Sequence, residues 1–291
     1  MTLTTVMGEA HQGPKRSYAL QTQAPGYGLP SPDVAFHHGE RGEHCRFAFD
    51  IAIDDVNATT GVHLIVHLQG EGDVIIDVAD RVDEQVQQDP YHRLLSAFFE
   101  SVAVLEAPTV VEIGSRKSPG SLYTERLPVG SHYLGFDIKD GPNVDVVGDA
   151  HEISRYFGPS TVDAAFSLST IEHLAMPWKA VVDLNVILKQ DAIVFFATHQ
   201  TWPIHEAPWD YWRLSEYAWR VLLNEATGFQ IVDSAMGSPG SVVPDLLSGG
   251  TWGLDQEPAF LGTGVLARKV GATSLRWDID LSVITDDLYP G

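Results

Sequence analysis

The sequence is poor in residues that mark several common classes of protein. Its 291 residues include a single cysteine, Cys45, so no internal disulfide can form, which is typical of a reducing compartment. No stretch approaches the ~20 consecutive apolar residues of a membrane helix. The first thirty residues lack the compact apolar segment of a signal peptide. We therefore expect a cytoplasmic protein that does not enter a membrane.

Basic residues are also scarce. The 18 lysines and arginines stand against 39 acidic residues, which gives a formal net charge of −21. Such a surface repels the phosphates of nucleic acids and of anionic lipids. The charge therefore argues against nucleic acid and membranes as partners, and it leaves a small-molecule substrate and a homo-oligomer open.

The first 88 residues predict a small β-rich extension. Residues 1–45 are rich in Gly, Pro and His with no sustained period, and we expect them to be loop or extended arm. Three β-like runs follow with turn residues between them, which predicts an antiparallel meander of strands at 47–53, 62–68 and 73–78.

A helix is predicted to begin after Asp89, and from residue 108 the pattern changes to apolar strands that alternate with helices. Strands are predicted at 109–113, 132–138, 144–149, 162–169, 192–198, 229–236 and 260–268, and the last helix is predicted from Ser215 to Gly228. This alternation predicts an α/β domain over 89–270, a Rossmann-like, mostly parallel seven-stranded sheet with helices on both faces. Residues 271–291 are expected to be a C-terminal tail. Because such sheets bind ligands at the carboxyl ends of their strands, candidate site residues should follow strands.

Acidic residues close three successive strands of this predicted sheet. The first strand ends with Glu112, followed by Gly114, whose lack of a side chain lets the backbone turn tightly beside a ligand. Asp137 ends the second strand, where it can accept both hydroxyls of a ribose. Asp149 ends the third strand and can accept from an exocyclic amine. The three strand ends together predict a pocket for an adenosine.

The loop after the first strand favours one kind of adenosine cofactor. A dinucleotide would require the glycines of G-x-G-x-x-G at a helix N-terminus, whereas residues 114–120 read GSRKSPG. Glu112 would repel a phosphate but suits an ammonium group, so a cofactor with an amino-acid end is favoured. A nucleotide-cofactor oxidoreductase on the same sheet is the alternative, as is a non-catalytic binding module that retains the fold.

These motifs resemble those of the class I S-adenosylmethionine-dependent methyltransferases, over roughly residues 105–270. The resemblance implies S-adenosyl-L-methionine as the cofactor, bound by Glu112, Gly114, Ser115, Asp137, Ile138, Asp149, Ala150, Ser167 and Ser169. The sequence departs from the family in the first motif, where Ser115 and Arg116 stand in place of further glycines.

The stretch THQTWPIHEAPWDYWRLS (198–215) follows the fifth strand, where members of this family commonly face the acceptor substrate. Its aromatic and charged side chains could stack on a sugar or aromatic ring and hold a charged group. We therefore predict an acceptor site formed by Trp202, Glu206, Trp209, Asp210, Tyr211 and Arg213. The predicted reaction is O-methylation of a polar small molecule, a saccharide or natural-product intermediate, in small-molecule biosynthesis.

Methyl transfer to a hydroxyl requires that the acceptor be positioned and its proton removed. Histidine is the natural base near neutral pH, and three histidines follow strands four and five. We rank His199 and His173 ahead of His205. A divalent cation on His199, His205, Glu206 and Asp210 is the alternative, but the spacing of these residues fits no dedicated metal motif and we do not favour it.

Overall fold

The computed structural model describes the backbone of six strands between residues 2 and 77, and then residues 89–116, 123–244, 250–251, 253–254 and 257–284. The chain divides into two units, Met1–Gln87 and Gln88–Gly291. No helix in these described ranges has the length and apolar character needed to span a bilayer.

The first unit consists of antiparallel strands. Its four-stranded sheet has the order β2-β1-β5-β6, with β1 at Thr2–Met7, β2 at Ser17–Leu20, β5 at Val62–Leu68 and β6 at Gly72–Asp77. A separate pair joins β3 (Tyr27–Leu29) to β4 (Arg46–Phe47).

The predicted β-rich extension is confirmed, but the order of its strands differs from the predicted meander. Strands β5 and β6 pair as predicted, but β1 and not the run at 47–53 is the other neighbour of β5. Residues 48–53 lie outside the described residues. The segment 1–45 holds three strands where loop was expected, because the β-branched residues of β1 favour a strand and the surrounding Gly, Pro and His obscure that signal.

The second unit contains a seven-stranded sheet with the order β12-β13-β11-β10-β7-β8-β9. The strands are β7 (Thr109–Ile113), β8 (His132–Asp137), β9 (Val146–Val147), β10 (Val162–Leu168), β11 (Leu188–His199), β12 (Phe229–Gly240) and β13 (Ala259–Lys269). Strand β13 is antiparallel to both β11 and β12, and the remaining pairs are parallel. The predicted Rossmann-like, mostly parallel sheet is confirmed, with β13 as its antiparallel member.

Three α-helices have both ends within the described residues: α1 (Pro90–Ala103), α2 (Pro177–Ile187) and α3 (Glu216–Leu222). Helix α1 begins where the Asp89 side chain accepts the backbone N–H of Tyr91. Helix α3 ends well before the predicted Gly228, because Asn224 and Thr227 bond to each other's backbone and close a turn. Short 3-10 helices lie at Ala150–Arg155, Ile171–His173 and Leu281–Val283.

The central strands are buried on both faces, and β11 shows how. Ile193 and Phe195 belong to the core that includes α1, whereas Val194 and Phe196 belong to the core that includes α2 and α3. Successive side chains of a strand point to opposite faces, so burial on both faces requires an unbroken apolar run. Trp219 of α3 is fully buried in the second core and donates its indole N–H to Thr263 Oγ1 (3.0 Å).

The strand order also fixes where a ligand can bind. The chain passes from β7 outward to β8 and β9, and then returns to β10 on the other side of β7. At such a reversal the loops leave in opposite directions and open a crevice beyond the carboxyl ends of the strands. In this protein that crevice lies beyond β7 and β10.

Candidate active site

A cavity of about 430 Å³ lies at the carboxyl ends of the parallel strands, within the range typical of small-molecule sites. It is lined by these residues that the sequence predicted: Glu112, Gly114, Asp137, Ile138, Asp149, Ala150, Ser169, His173, His199, His205, Glu206, Trp209 and Tyr211. Ser115, Ser167, Trp202, Asp210 and Arg213 do not line it. The structure thus brings the three strand-end acids to one cavity, which the three histidines also line.

Gly114 makes the tight turn at the end of β7. Its φ is +85°, in the region that side chains disfavour, and its N–H donates to the carbonyl of Phe136 (2.8 Å). A Cβ built on Gly114 would stand 1.9 Å from Oγ1 of Thr170, which lies in the loop after β10. Only glycine therefore allows the two loops that border the cavity to approach so closely.

Glu112 is an almost fully buried acid, 1% exposed, on the cavity wall. The phenol O–H of Tyr133, on the neighbouring strand β8, donates to its carboxylate. Burial, followed by this bond to Glu112, raises the pKa of Tyr133, so the phenol keeps its proton. The protonated phenol of Tyr133 thus holds the Glu112 side chain in place on the cavity wall.

Asp137, at the end of β8, is buried and holds the loop that follows β7. Its carboxylate accepts from Arg116 N (3.2 Å), Arg116 Nε (3.3 Å) and Lys139 N (3.1 Å). A carboxylate has roughly four lone-pair sites, so these bonds leave about one for a ligand. A diol can therefore bond Asp137 once with Arg116 in place, and a second time if the guanidinium moves aside.

Asp149 caps the 3-10 helix that follows β9. Its Oδ1 accepts from the backbone N–H of His151 (2.9 Å) and lies 2.6 Å from His151 Nδ1. The other ring nitrogen of His151 accepts from the backbone N–H of Met176 (3.1 Å). Burial opposes ionisation of Asp149, but the bonds from His151 outweigh it and lower the pKa of this carboxyl. With Oδ1 occupied, Oδ2 is the oxygen that a ligand can reach.

Two of the predicted cofactor residues, Ser115 and Ser167, donate their hydroxyls to backbone carbonyls. The Ser115 hydroxyl donates to the carbonyl of Asn143 (2.8 Å), and the Ser167 hydroxyl donates to the carbonyl of Ile113 (2.9 Å). Both serines are fully buried. Their hydroxyls tie loops and strands together and neither serine lines the cavity, so their contact with a cofactor stays a prediction.

Several cavity residues were missed by the sequence reasoning. Leu281 comes from the segment 271–291, which we had predicted to be a separate tail, and no local pattern marks it. His151 stands two residues after Asp149, a spacing that suits a side chain bonding back to its cap. The remaining missed residues that line the cavity are Ile113, Arg116, Tyr123, Phe136, Gly148, Leu168, Leu174 and Ala175.

The three predicted histidines surround an acid that the sequence reasoning also missed. Glu172, in the loop after β10, is fully buried. Its Oε1 lies 3.4 Å from Nε2 of His199, 3.9 Å from Nε2 of His205 and 4.0 Å from Nε2 of His173. Burial, opposed by the charge of Glu172, lowers the pKa of His199. An ionisable cluster of one carboxylate and three imidazoles therefore lies at the cavity, on the β10 and β11 side.

Asp210 and Arg213 fasten the loop that carries the other acceptor candidates. Arg213 donates through NH1 and NH2 to the two oxygens of Asp210 (2.6 and 2.7 Å) and also to the carbonyls of Trp202 and Pro203. The bonds from Arg213 lower the pKa of Asp210, which is buried. Both side chains bond within the loop and neither lines the cavity, so their contact with an acceptor stays a prediction.

The aromatic residues of this loop divide between two positions. Trp209 and Tyr211 line the cavity, as does Glu206. Trp202 is 43% exposed and stacks on the His199 ring, with centroids 4.6 Å apart and planes at 13°. Trp212 donates its indole N–H to the carbonyl of Leu174 (2.7 Å). Trp202 therefore orients a histidine of the cluster and does not itself line the cavity.

Comparison with known proteins gives similarity at the level of solved structures alone. No protein-family model matches the chain, and no curated protein sequence matches it significantly. A SAM-dependent methyltransferase from Aquifex aeolicus is 17% identical, covering 66% of this chain and 96% of its own, with a TM-score of 0.42. One from Archaeoglobus fulgidus is 13% identical, covering 66% and 100%, with a TM-score of 0.45. The 4+2 cyclase SpnF is 14% identical, covering 62% and 82%, with a TM-score of 0.45. Identities and TM-scores this low assign no activity, which has to be inferred from the cavity itself.

Proposed function

We propose that this chain is an S-adenosylmethionine-dependent methyltransferase that methylates a hydroxyl of a polar small molecule, with a saccharide or a natural-product intermediate as the acceptor class. The observation that carries the proposal is the meeting of Glu112, Asp137 and Asp149 at one cavity. The three acids lie at the ends of three neighbouring strands. Each would accept hydrogen bonds from a different part of the cofactor.

The cavity residues fit the three parts of the cofactor. Asp137 retains an acceptor site for the ribose hydroxyls, and Asp149 offers Oδ2 to the adenine amine. Glu112 places a buried negative charge beside the turn at Gly114, which suits the ammonium of a methionine and opposes a pyrophosphate. The apolar side chains of Ile138 and Leu281 provide walls for a flat base.

The acceptor end of the cavity is the cluster of Glu172 and the histidines. When bound, the cofactor supplies a methyl group on a sulfonium, so the protein has to position the acceptor and remove its proton. His199 has a lowered pKa and is therefore neutral near pH 7, as a proton acceptor must be. Trp209 and Tyr211 line the same region and offer ring faces to a sugar or an aromatic acceptor.

Calorimetry with S-adenosylhomocysteine tests the cofactor assignment. We expect one site per chain in the full-length protein, and at least a tenfold loss of affinity in Asp137→Ala, since a buried acceptor is worth ~1.5–3 kcal/mol to a ligand hydrogen bond. Asp233→Ala is the matched control, because Asp233 is an exposed acid on β12 that does not line the cavity.

The same titration separates the competing functions. Binding of a nicotinamide dinucleotide in place of S-adenosylhomocysteine would favour an oxidoreductase. Unchanged affinity in Asp137→Ala would refute the assignment of the ribose site. Once the cofactor binds, a panel of hydroxylated acceptors with labelled S-adenosylmethionine distinguishes an enzyme from a binding module.

A further inference from the structure

One oxygen of Glu172 is left without a hydrogen bond in a buried position. Oε2 accepts from the Thr198 hydroxyl (2.6 Å), whereas Oε1 has no hydrogen-bond partner within the part of the chain that the structure describes. An unpaired carboxylate oxygen that is shielded from water costs several kcal/mol unless a cation balances it. Three histidine Nε2 atoms lie 3.4–4.0 Å from it.

Two of these nitrogens present a lone pair to that oxygen when their rings are neutral. His173 Nδ1 lies 2.7 Å from the carbonyl oxygen of Trp209, which can only accept, so Nδ1 carries the proton. His205 Nδ1 lies 3.2 Å from Asp210 Oδ2 and 3.3 Å from the carbonyl oxygen of Pro203, which are again acceptors. The neutral rings therefore turn unprotonated Nε2 atoms toward Glu172 Oε1, an arrangement that is repulsive unless a proton or a metal cation lies between them.

The arrangement has the features of a metal site whose histidine ligands are already held by hydrogen bonds. The ligand atoms of Glu172, His173 and His205 all lie within 4.8 Å of one another. Zinc bound at ~2.0–2.2 Å by nitrogen and oxygen would require them to be about 3.4 Å apart, so binding would draw the ligand atoms together by up to about 1.4 Å. Histidine ligands characteristically donate their other N–H to a carbonyl or carboxylate, as His173 and His205 do here.

We propose that Glu172, His173 and His205 bind one divalent first-row transition-metal cation, with Zn²⁺ as the reference ion. Two imidazoles and one carboxylate suit such ions, whereas Mg²⁺ prefers oxygen ligands. Both histidines line the cavity, so the positions that the protein leaves open face it. The site replaces the cation set considered from the sequence, because it includes Glu172 and His173 and excludes Asp210.

The role of the ion rests on the proposed function. An acceptor oxygen in an open position would be held at the methyl-accepting end of the cavity, and the ion would lower the pKa of a hydroxyl bound to it. His199 is outside the set of mutually close ligand atoms and stays available to the proton of that hydroxyl. The cation binding itself does not depend on any methyl transfer.

The test is metal binding by the full-length chain after removal of bound metal with a chelator. We expect one tight equivalent of Zn²⁺ per chain, and visible absorption bands when Co²⁺ occupies the same site. His205→Ala should weaken this site at least tenfold, since even the second-shell partners of a ligand are worth ~10–100-fold. Glu172→Gln should do the same. Because the chain has 12 histidines, weaker sites are expected, and the relevant site is the one that these variants lose.

His132→Ala is the matched control, because His132 is exposed at the start of β8 and does not line the cavity. It should retain the tight equivalent. If Glu172→Gln does not fold, the Zn²⁺ affinity of His205→Ala decides the test, because the His205 side chain is partly exposed. Equal Zn²⁺ affinity and stoichiometry in wild type and His205→Ala would overturn the proposal. Protein stripped of metal should still bind S-adenosylhomocysteine, so a failure of the methyltransferase proposal and a failure of the metal site give different results.

Discussion

Replacing Gly114 with alanine should lower the free energy of unfolding through two separate effects. The first is backbone strain, because a side chain at φ +85° costs ~1–2 kcal/mol. The second is a steric clash, because the new Cβ would stand 1.9 Å from Thr170 Oγ1 and 2.9 Å from Thr170 Cβ. Overpacking of this kind costs ~1–3 kcal/mol, so the total should be ~2–5 kcal/mol.

Gly130→Ala provides the control for the first part. Gly130 has the same φ of +85°, but a Cβ there would meet Ala107 Cβ at 3.7 Å, an ordinary contact. It should therefore cost only the ~1–2 kcal/mol of backbone strain. The difference between the two variants measures the clash.

A second substitution, Thr170→Ala, relieves the clash in part. It removes Oγ1 and Cγ2 but leaves Thr170 Cβ at 2.9 Å. Gly114→Ala combined with Thr170→Ala should therefore recover some but not all of the difference, measured as free energy of unfolding in urea. Equal stabilities of Gly114→Ala and Gly130→Ala would refute the close approach of the two loops. We also expect Gly114→Ala, when folded, to bind S-adenosylhomocysteine at least tenfold more weakly.

Two further predictions concern the loop 198–215. His199→Ala should lower the initial methylation rate on an acceptor found in the panel by ~10²–10⁴-fold, the usual effect of losing a general base, and leave S-adenosylhomocysteine affinity unchanged; full activity would remove His199 from the catalytic candidates. Arg213→Lys should destabilise the protein by ~1–3 kcal/mol in urea unfolding, because an ammonium cannot reproduce the paired bonds to Asp210 and the bonds to the Trp202 and Pro203 carbonyls. A stability equal to wild type would show that these bonds do not hold the loop.

The limits of the sequence prediction are clearest at Asp210 and Arg213. Charged residues in an aromatic loop after a strand suggested contacts with a ligand. Their three-residue spacing also allows them to pair with each other, and nothing in the sequence distinguishes these uses. The structure decides for pairing, because the loop folds back so that the carbonyls of Trp202 and Pro203 reach the same guanidinium.

The order of the strands along the second unit and the acids at their ends could be predicted from local sequence patterns. Strand and helix periods are local, so a continuous apolar run such as β11 and a polar residue directly after it can be recognised without knowing what they contact. A parallel sheet then places all such ends at one edge, which is why Glu112, Asp137 and Asp149 could be grouped in advance.

The contacts between side chains from different loops could not be predicted in this way and are visible in the folded chain alone. Glu172 lies beside His199 and His205 because β10 and β11 are adjacent parallel strands whose loops leave at the same edge. Leu281 reaches the cavity from a segment with no period of its own. Contacts of this kind depend on separations of a few ångströms between residues far apart in the chain, and no pattern along the sequence records those separations.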